Sequence, residues 1–370
     1  MTELIYCAAK NKQYAALAIA RGFTYGARLP ASVYFAPAFV DQEWRNLDRA
    51  AYMKAIQQYR PRLATVLDWE REEQLPDVLA WADEAARYVS EAVIIIPKVI
   101  GGIPRLPRTI RGKQVRLGYS VPTSYAGTGV PKREFRGWPL HLLGGSPQKQ
   151  YRLAHERGWD VVSADGNYIQ KQAGSAAFFH NGICRNAKNK YFPRLKEVRL
   201  GDINQNVPYI CFDLSLINIR AMWDGCQAGI RLAHDGDFDA INRIARQWNI
   251  ELGFVSRAML AQSATARELY IAEKDDDVCG FVRWHRRRDG WNTVYEIAID
   301  KARRGQGIGR ALLDAVPRPV RLKCTVDNAT ANAFYAAQGM ILARVEQGKR
   351  RRLNVWERSD HIADAVNMAA

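Results

Sequence analysis

Short apolar runs alternate with amphipathic stretches along the first 200 residues of the chain. The runs are short enough for buried strands, and the stretches between them, such as 49–59, 75–89 and 146–158, repeat apolar residues at helical spacing. Strands that alternate with helices are typical of βα units and a parallel sheet. The predicted strands are LIYCAA (4–9), TYGARL (24–29), SVYFAPAF (32–39), LATVLDW (63–69), AVIIIPKVI (92–100), VRLGYSV (115–121), PLHLLGG (139–145) and DVVSADG (160–166).

These strands are numerous enough to close a barrel, and we predict an N-terminal (β/α)8 TIM-like barrel. The second βα unit is irregular in this pattern. An open doubly wound sheet is the alternative, although no G-x-G-x-x-G motif follows the first predicted strand.

The pattern changes near residue 200. Segment 201–228 begins mixed and polar and then contains ICFDLSLINIRAMW, which predicts a helix. From Gly229 onward the chain predicts a strand, two helices and an antiparallel meander, followed by helix, strand, helix and a closing hairpin. We therefore predict an α/β chain with the barrel in residues 1–200, a connector in 201–228, an α+β domain in 229–360 and a tail in 361–370.

One segment of the second domain is typical of a phosphate-binding turn. RRGQGIGRALL (303–313) directly follows the predicted strand WNTVYEIAID and contains an R-x-x-G-x-G pattern. Glycines let the backbone approach a ligand closely, and the amides and partial positive charge at the start of the next helix attract a pyrophosphate. The predicted contacts are Arg304, Gln306, Gly307, Ile308, Gly309 and Arg310.

The order of elements in residues 229–358, together with this turn, resembles the GNAT family of acyl-CoA-dependent N-acyltransferases. A second segment strengthens the resemblance, because it follows the pattern N-x-x-A-x-x-F-Y-x-x-x-G with Met340 where the family often has Phe. Its residues are Asn328, Ala331, Phe334, Tyr335 and Gly339.

The resemblance implies acetyl-CoA as the cofactor and roles for four further side chains. Asn328 and Asn332 match positions that contact the pantetheine arm or the splayed strands, and Tyr335 matches the phenol that protonates the leaving thiolate. Glu296, in the strand before the turn, is a candidate to deprotonate the attacking ammonium. Three of these residues have a structural alternative: Tyr335 could pack beneath the cofactor, Glu296 could be salt-bridged or outward-facing, and Asn332 could be an exposed helix residue.

Polar residues also follow several predicted barrel strands. Active sites of parallel barrels lie at the carboxyl ends of the strands, where carboxylates from different strands can face one another. Such a pair suits glycosidic chemistry, in which one carboxylate attacks or stabilises an anomeric carbon and the other handles protons. The candidates are Asp68 and Glu70 after the fourth strand, and His141, Gly144, Gly145, Asp165 and Asn167 around the seventh and eighth.

These barrel segments resemble the tRNA-guanine transglycosylase superfamily, especially its DNA-directed relatives that place deazaguanines in DNA. The resemblance implies that Asp165 is the nucleophile, with Asp160 as a competing match, and that Asp68 recognises the base. The tRNA enzymes carry a C-x-C-x-x-C zinc site that this chain lacks, which favours DNA over tRNA. Asp165 could instead start a turn, Asp68 could pair with an arginine, the two glycines could serve only the turn, and His141 could be a core residue.

Composition narrows the partners. The net charge is +16 and the pI about 9.7, which indicates a polyanionic partner such as nucleic acid, although solvated basic loops are the alternative. The six cysteines form no CxxC pair or zinc-ligand spacing, so we predict reduced thiols and no metal. No apolar run approaches bilayer length and no signal sequence is evident, so we expect a soluble cytoplasmic protein with no membrane partner.

The leading hypothesis joins the two domains. The barrel would cleave or exchange a glycosidic bond in nucleic acid, DNA by preference, and the GNAT domain would acetylate an amine on the base or its modification. Such an enzyme would fit a phage or an anti-restriction system. The alternatives are a DNA glycosylase, an N-acetyltransferase of a protein or small-molecule amine with a binding-only barrel, and an acyl-CoA sensor.

Overall fold

The computed structural model describes residues 2–7, 11–31, 33–43, 46–124, 127–186, 207–349 and 351–359. These residues form two compact units that divide between Lys171 and Gln172. Within the described ranges, no helix has both the length and the apolar character required to cross a bilayer. The domain limits predicted from the sequence, at residues 200, 228 and 360, remain predictions.

The first unit is a closed barrel of parallel strands. Its strands are β1 (Glu3–Cys7), β2 (Thr24–Leu29), β3 (Phe39–Gln42), β4 (Leu63–Thr65), β5 (Ala92–Ile95), β6 (Thr109–Ile110), β7 (Lys113–Ser120), β8 (Pro139–Leu143) and β9 (Asp160–Gly166). All except β6 pair in parallel with their neighbours in chain order, and β9 pairs with β1 to close the ring. The predicted eight-stranded parallel barrel is therefore confirmed, and β6 adds only a short antiparallel pair with β7.

Helices cover only some of the barrel connections. They are α1 (Lys12–Ala20), α2 (Arg49–Tyr59), α3 (Leu75–Ala85) and α4 (Pro147–Ala154). A further helix, α5 (Tyr168–Gly174), follows β9 and contains the division between Lys171 and Gln172. In the described residues, the connections β2–β3, β5–β7 and β7–β8 contain loops and short 3-10 turns in place of an α-helix. The barrel thus has the predicted strand order without a complete set of eight crossover helices.

The third predicted strand is wrong in position. The run 32–39 was expected to be extended throughout, but β3 occupies Phe39–Gln42 and shares only Phe39 with it. Pro37 lies in the predicted run and cannot donate to a sheet ladder, which explains why the strand begins after it. The shift brings Asp41 into the barrel wall.

An apolar layer fills the barrel interior. Its buried members come from β1, β3, β4 and the β5 segment, and β1 and β5 are opposite strands of the ring, so these side chains can meet only inside it. Two glycines give this layer room: a Cβ at Gly26 would lie 2.8 Å from Phe39, and one at Gly118 would lie 2.7 Å from Ile96. The layer consists of Ile5, Cys7, Phe39, Leu63, Ala92, Ile94 and Ile96.

The second unit is built on a seven-stranded sheet. Its strands, preceded by the hairpin β10 (Ala177–His180) and β11 (Ile183–Asn186), are β12 (Gly229–Leu232), β13 (Leu269–Lys274), β14 (Asp277–Arg286), β15 (Asn292–Ile299), β16 (Val320–Thr325), β17 (Ile341–Gln347) and β18 (Arg352–Arg358). The sheet order is β12-β13-β14-β15-β16-β18-β17, and only β15 and β16 pair in parallel. The predicted antiparallel meander and closing hairpin are confirmed.

Helices pack on this sheet. They are α6 (Val207–Trp223), α7 (Phe238–Arg246), α8 (Asn249–Leu252), α9 (Arg257–Thr265), α10 (Ile308–Ala315) and α11 (Ala329–Ala337). The helix predicted within segment 201–228 is α6, and it packs against β10, β12 and α10, all in the second unit. Helices α7 and α9 cover an apolar core that includes Phe238, Ile241 and Leu260.

The turn after β8 gives a test of the barrel's packing. Gly144 and Gly145 both have positive φ, +62° and +81°, but a Cβ at 145 would lie 2.4 Å from Val121 Cγ1 whereas one at 144 meets nothing within 4 Å. We expect Gly145→Ala to lower the free energy of unfolding by about 1–3 kcal/mol more than Gly144→Ala, because only it overpacks. Urea denaturation of both variants measures the difference, and equal losses would contradict this packing.

Candidate functional site

The parallel strands β15 and β16 form a cleft because they separate soon after they meet. They pair only at Asn292–Val320, Thr293–Arg321 and Val294–Leu322. At the same level β15 contains a bulge: Val294 pairs with Trp284 and Glu296 pairs with Arg283, so Tyr295 is an extra residue. Since bulges redirect side chains and interrupt pairing, Tyr295 marks the point at which the cleft opens.

The Gly-rich turn closes the far end of this cleft. Gly305 and Gly307 have φ of +77° and +75°, and Gly307 is the N-cap of α10. The first backbone bond of the helix runs from Ala311 N to Gly307 O at 3.1 Å. The amides of residues 308–310 therefore precede any intrahelical acceptor and are available to an anion, as the sequence predicts for a pyrophosphate.

Gly309 sets how closely α10 approaches its neighbours. A Cβ there would lie 2.8 Å from Ile299 Cδ1 and 3.3 Å from Phe334 Cζ. Gly309 therefore lets β15, α10 and α11 pack together beneath the turn, in addition to presenting its amide.

The other predicted turn residues differ in their surroundings. Arg304 is exposed, with its guanidinium carbon 5.7 Å from the centre of the Trp248 ring. Arg310 lies 3.2 Å from Asp224 and 3.6 Å from Asp314, so its charge is shared with two carboxylates. The Gln306 backbone carbonyl accepts from Gln227 N at 3.4 Å.

The two predicted asparagines both serve the fold. Asn328 caps α11 by accepting from Ala331 N at 3.0 Å. Asn332 donates to the carbonyls of Thr325 (2.9 Å), Val326 (3.2 Å) and Asn328 (2.9 Å). Its oxygen accepts from Trp356 Nε1 at 2.8 Å and from the Asn354 side chain at 2.9 Å. The Asn332 side chain thus ties α11 to the ends of β16 and β18 and leaves little capacity for a cofactor.

Tyr335 is buried on α11. Its ring centre lies 6.3 Å from that of Trp356 and 5.4 Å from that of Phe334. Burial raises the pKa of the phenol, and the nearby Cys324 adds to the shift. The hydroxyl therefore keeps its proton at neutral pH, as a proton donor to a thiolate must.

Glu296 is held in a buried ion pair, the alternative considered for it above. Arg283 on β14 donates to both of its carboxylate oxygens, with Nη2 2.8 Å from Oε1. Arg283 Nη1 in turn lies 2.8 Å from His285 Nε2, and His285 Nδ1 bonds to Glu268. The sequence analysis missed this chain of charged groups, although the alternation of Arg283 and His285 along β14 places both on one face of the strand.

In the barrel, Asp165 lies inside the wall and does not start a turn. It belongs to β9, and its Oδ1 is 3.2 Å from His141 Nε2 and 3.4 Å from Gly144 N. A carboxylate oxygen only accepts, so Nε2 donates to Asp165 while Nδ1 accepts from the Ser163 hydroxyl at 2.8 Å. His141, fully buried and stacked on Phe39, therefore orients the carboxyl group.

Asp41 is the main barrel residue that sequence reasoning missed. It follows Phe39 by two positions on β3 and so shares its inward face, one layer closer to the carboxyl ends of the strands. Its Oδ1 accepts from Thr65 Oγ1 at 2.9 Å and from Gln42 N at 3.0 Å. Burial raises the pKa of the Asp41 carboxyl to about 7, and the neighbouring Asp165 adds to the shift. The sequence FVDQ (39–42) contained a signal for it, because residues two positions apart in a strand, here Phe39 and Asp41, lie on the same face.

The remaining predicted barrel residues lie around this pair. Lys98 Nζ is 2.8 Å from Asp68 and 2.7 Å from the exposed Glu70. Burial raises the pKa of Asp68 although Lys98 opposes the shift, and Asp68 contributes to the shift at Asp41. Asn167 is exposed just beyond β9, where its carbonyl accepts from Gln170 N at 3.0 Å.

Arg28 was also missed, and it supplies positive charge beside the carboxyl groups. Its Nε lies 3.8 Å from Asp41 and its Nη1 3.7 Å from Glu43, and the side chain is 39 % exposed. Across the described residues, no group of three or more His, Cys, Asp or Glu side chains is arranged to hold a metal ion. The arrangement provides a buried carboxyl group, Asp165, and a partly buried one, Asp41, whose pKa is raised to about 7, next to a cation that can meet an anionic substrate.

Two family descriptions match the chain. A family of unknown function (DUF6610) matches residues 18–224, and an acetyltransferase (GNAT) domain matches residues 265–339. The C-terminal unit therefore contains a GNAT acetyltransferase domain, with acetyl-CoA as its cofactor. No curated protein matches the chain.

Solved structures similar to the chain include a GNAT-family acetyltransferase from Bacillus cereus, 16 % identical, with a TM-score of 0.33 over 36 % of this chain and 97 % of that one. Ard1 from Thermoplasma volcanium is 22 % identical, with a TM-score of 0.33 over 35 % and 96 % of the two chains. YncA from Salmonella typhimurium, solved with its cofactor acetyl-CoA, is 18 % identical, with a TM-score of 0.31 over 36 % and 93 %.

The raised pKa of the partly buried Asp41 predicts a pH-dependent stability. Its pKa of about 7 in the folded protein exceeds that of an unfolded aspartate, so the folded state binds more protons between about pH 4 and 7. The free energy of unfolding should fall as pH rises through that window, by up to about 1.4 kcal/mol per pH unit. Asp41→Asn should flatten this fall, whereas Asp160→Asn, at the exposed start of β9, should not. Urea denaturation at pH 5, 6, 7 and 8 measures it, and equal pH dependence in wild type and Asp41→Asn would contradict it.

Proposed function

The chain belongs to a family of unknown function (DUF6610), and we propose that it modifies a base in nucleic acid, DNA by preference. The barrel cleaves or exchanges the glycosidic bond of the base. The GNAT domain transfers an acetyl group to an amine on the base or on the group that replaces it.

One observation carries the barrel half of the proposal: the partly buried Asp41 and the buried Asp165 lie on β3 and β9 near the carboxyl ends of the strands and interact electrostatically. The two carboxyl groups differ in surroundings, because Asp165 receives N–H bonds from His141 and Gly144 while Asp41 has its pKa raised by burial. Pairs of carboxyl groups whose environments separate their proton affinities divide into a nucleophile and an acid.

The proposed glycosidic step uses this difference. The Asp165 carboxylate attacks the anomeric carbon, and the bond from that carbon to the base nitrogen breaks. The Asp41 carboxyl group gives its proton to the departing base. An incoming base or a water molecule then displaces Asp165 from the sugar and returns a proton to Asp41.

The proposed acetyl transfer takes place where β15 and β16 part. Acetyl-CoA would supply an acetyl group activated as a thioester, and the residues present fit it: the amides of residues 308–310 would hold the pyrophosphate, and Gly309 lets α10 pack closely against Ile299 and Phe334. The Tyr335 phenol, whose pKa is raised by burial, holds the proton for the thiolate. The acceptor nitrogen forms a bond to the acetyl carbon as the carbon–sulfur bond breaks, and its surplus proton passes to solvent or to the polar chain that begins at Glu296.

Charge supports a nucleic-acid substrate. The net charge is +16, and phosphate contacts with Lys and Arg provide most of the affinity of proteins for nucleic acid. The partly exposed Arg28 beside the carboxyl pair gives the barrel a cation for a phosphate or another anionic group.

Mass spectrometry of nucleosides tests the proposal. DNA and RNA are isolated from cells that express the wild-type protein, Asp165→Asn, Gly309→Val or the matched control Asp160→Asn. We expect a new nucleoside with wild type and Asp160→Asn, none with Asp165→Asn, and a nucleoside lighter by one acetyl group with Gly309→Val.

Other outcomes identify the alternatives. Abasic sites in place of a new nucleoside would show a glycosylase and contradict base exchange. Unchanged nucleosides with all four proteins, combined with acetyl-CoA turnover on a protein or small amine, would contradict the proposal and leave an N-acetyltransferase with another acceptor.

A further inference from the structure

We propose that the β14–β15 hairpin and Tyr295 form a nucleic-acid-binding surface that brings the acceptor base to the acetyl-transfer cleft. This inference rests on the proposed function and deepens it by assigning the partner to a particular surface of the GNAT unit. The surface, called the arginine hairpin below, consists of Arg286, Arg287, Arg288 and Tyr295.

The hairpin concentrates positive charge at one exposed turn. Arg286, Arg287 and Arg288 are consecutive and exposed. The turn beneath them is closed by a bond from Arg287 N to Trp291 O at 2.8 Å and by Gly290, whose φ is +86°. The backbone that carries the guanidinium groups is therefore fixed before any ligand binds.

These charges are only partly neutralised by the protein itself: Asp289, in the same turn, pairs with Arg321 at 3.0 Å, and Glu268 accepts from the Arg286 backbone at 3.0 Å. In the described part of the chain, no carboxylate lies within 4.0 Å of the side chains of Arg286 or Arg288, whereas Arg283 and Arg321 nearby both form ion pairs. Adjacent like charges repel one another. Binding of a polyanion to this surface is therefore favourable, because the polyanion supplies the counter-charge.

Tyr295 adds a stacking platform next to this charge. Its ring is 44 % exposed although it lies within a strand, because it is the extra residue of the bulge. Its hydroxyl accepts from Arg287 Nη1 at 3.1 Å, and the Arg283 guanidinium lies 5.1 Å from its ring centre. The ring is thus oriented by two arginines while part of it faces solvent, as in aromatic side chains that stack on nucleobases.

The position of Tyr295 connects the surface to the chemistry. It is the first residue of β15 beyond the last pair with β16, and it precedes Glu296. A base stacked on its ring would place an exocyclic amine at the opening of the cleft, while the adjoining phosphates reach Arg286 and Arg288. An acidic peptide could satisfy the arginines but would have no ring to stack on Tyr295, so the combination favours nucleic acid.

Fluorescence anisotropy with a labelled 20-nucleotide single-stranded DNA tests this surface, using the full-length protein over a series of NaCl concentrations. The variant is Arg286→Glu/Arg288→Glu, and the matched control is Arg243→Glu/Arg246→Glu, which makes the same charge change on exposed positions of α7 in the same unit. Tyr295→Leu is the third variant. Because Tyr295 would contribute by stacking, the Tyr295→Leu substitution should lower the affinity for DNA with little change in the salt dependence of that affinity.

We expect the hairpin variant to lose about tenfold or more in affinity at moderate salt and to reduce the slope of log K against log [NaCl] by about 1–2. The control variant should change both quantities much less. Equal losses in the hairpin and control variants would overturn the proposal, because they would show a general effect of net charge. Competition by polyglutamate as effective as that by DNA, with no effect of Tyr295→Leu, would also overturn it in favour of an acidic protein partner.

The outcomes separate this surface from the proposed function. If the modified nucleoside still forms with the hairpin variant at wild-type levels and DNA binding is unchanged, the surface is wrong and the proposed function stands. If wild-type protein forms no modified nucleoside and its DNA binding does not depend on the hairpin, both are wrong.

Discussion

The chemistry proposed for the barrel depends on the electrostatic interaction of Asp41, whose side chain is 16 % exposed, with Asp165. When the parallel strands close into a ring, alternate side chains of each strand point toward the interior. Inward-facing residues that lie two positions beyond the apolar layer on different strands therefore share one enclosed space. Loss of solvent there raises the pKa of the Asp41 carboxyl to about 7, and the neighbouring Asp165 adds to the shift. Thr65 and the Gln42 amide hold Asp41, while His141 and Gly144 hold Asp165, so the two groups keep distinct roles.

In the GNAT unit, the open sheet has to admit a large acyl donor. Strands β15 and β16 part after Val294, and the Asn332 side chain ties α11 to the end of β16 and to β18. Gly309 lets α10 pack against Ile299 and Phe334, which brings the free amides of the turn to the end of the cleft. In the proposed function, the donor site is therefore formed by backbone geometry, and the side chains at the bulge contact the acceptor.

The sequence predicted the closed parallel barrel and the second sheet because their strands are apolar and regularly spaced. It misplaced the third strand, since SVYFAPAF is more apolar than FVDQ although Pro37 cannot take part in a ladder. Because of that error, Asp41 was not identified as a candidate residue. Its proposed role depends on which face of the strand it occupies. Likewise, the sequence could place Glu296 in a strand, but the ion pair with Arg283 depends on a bulge that no local pattern indicates. Pairing between neighbouring strands of the sheets determines both outcomes.

Transfer of isotope from acetyl-CoA is the most direct test of the central claim that the acceptor is a nucleic-acid base. Purified protein is incubated with acetyl-CoA labelled with ¹³C in the acetyl group, together with DNA, a mixture of small amines and a basic peptide, and each fraction is analysed by mass spectrometry. We predict that the label appears in a DNA nucleoside, and that Asp165→Asn abolishes this labelling unless the acceptor base is already present. Label confined to the peptide, the small amines or the protein itself would contradict the claim.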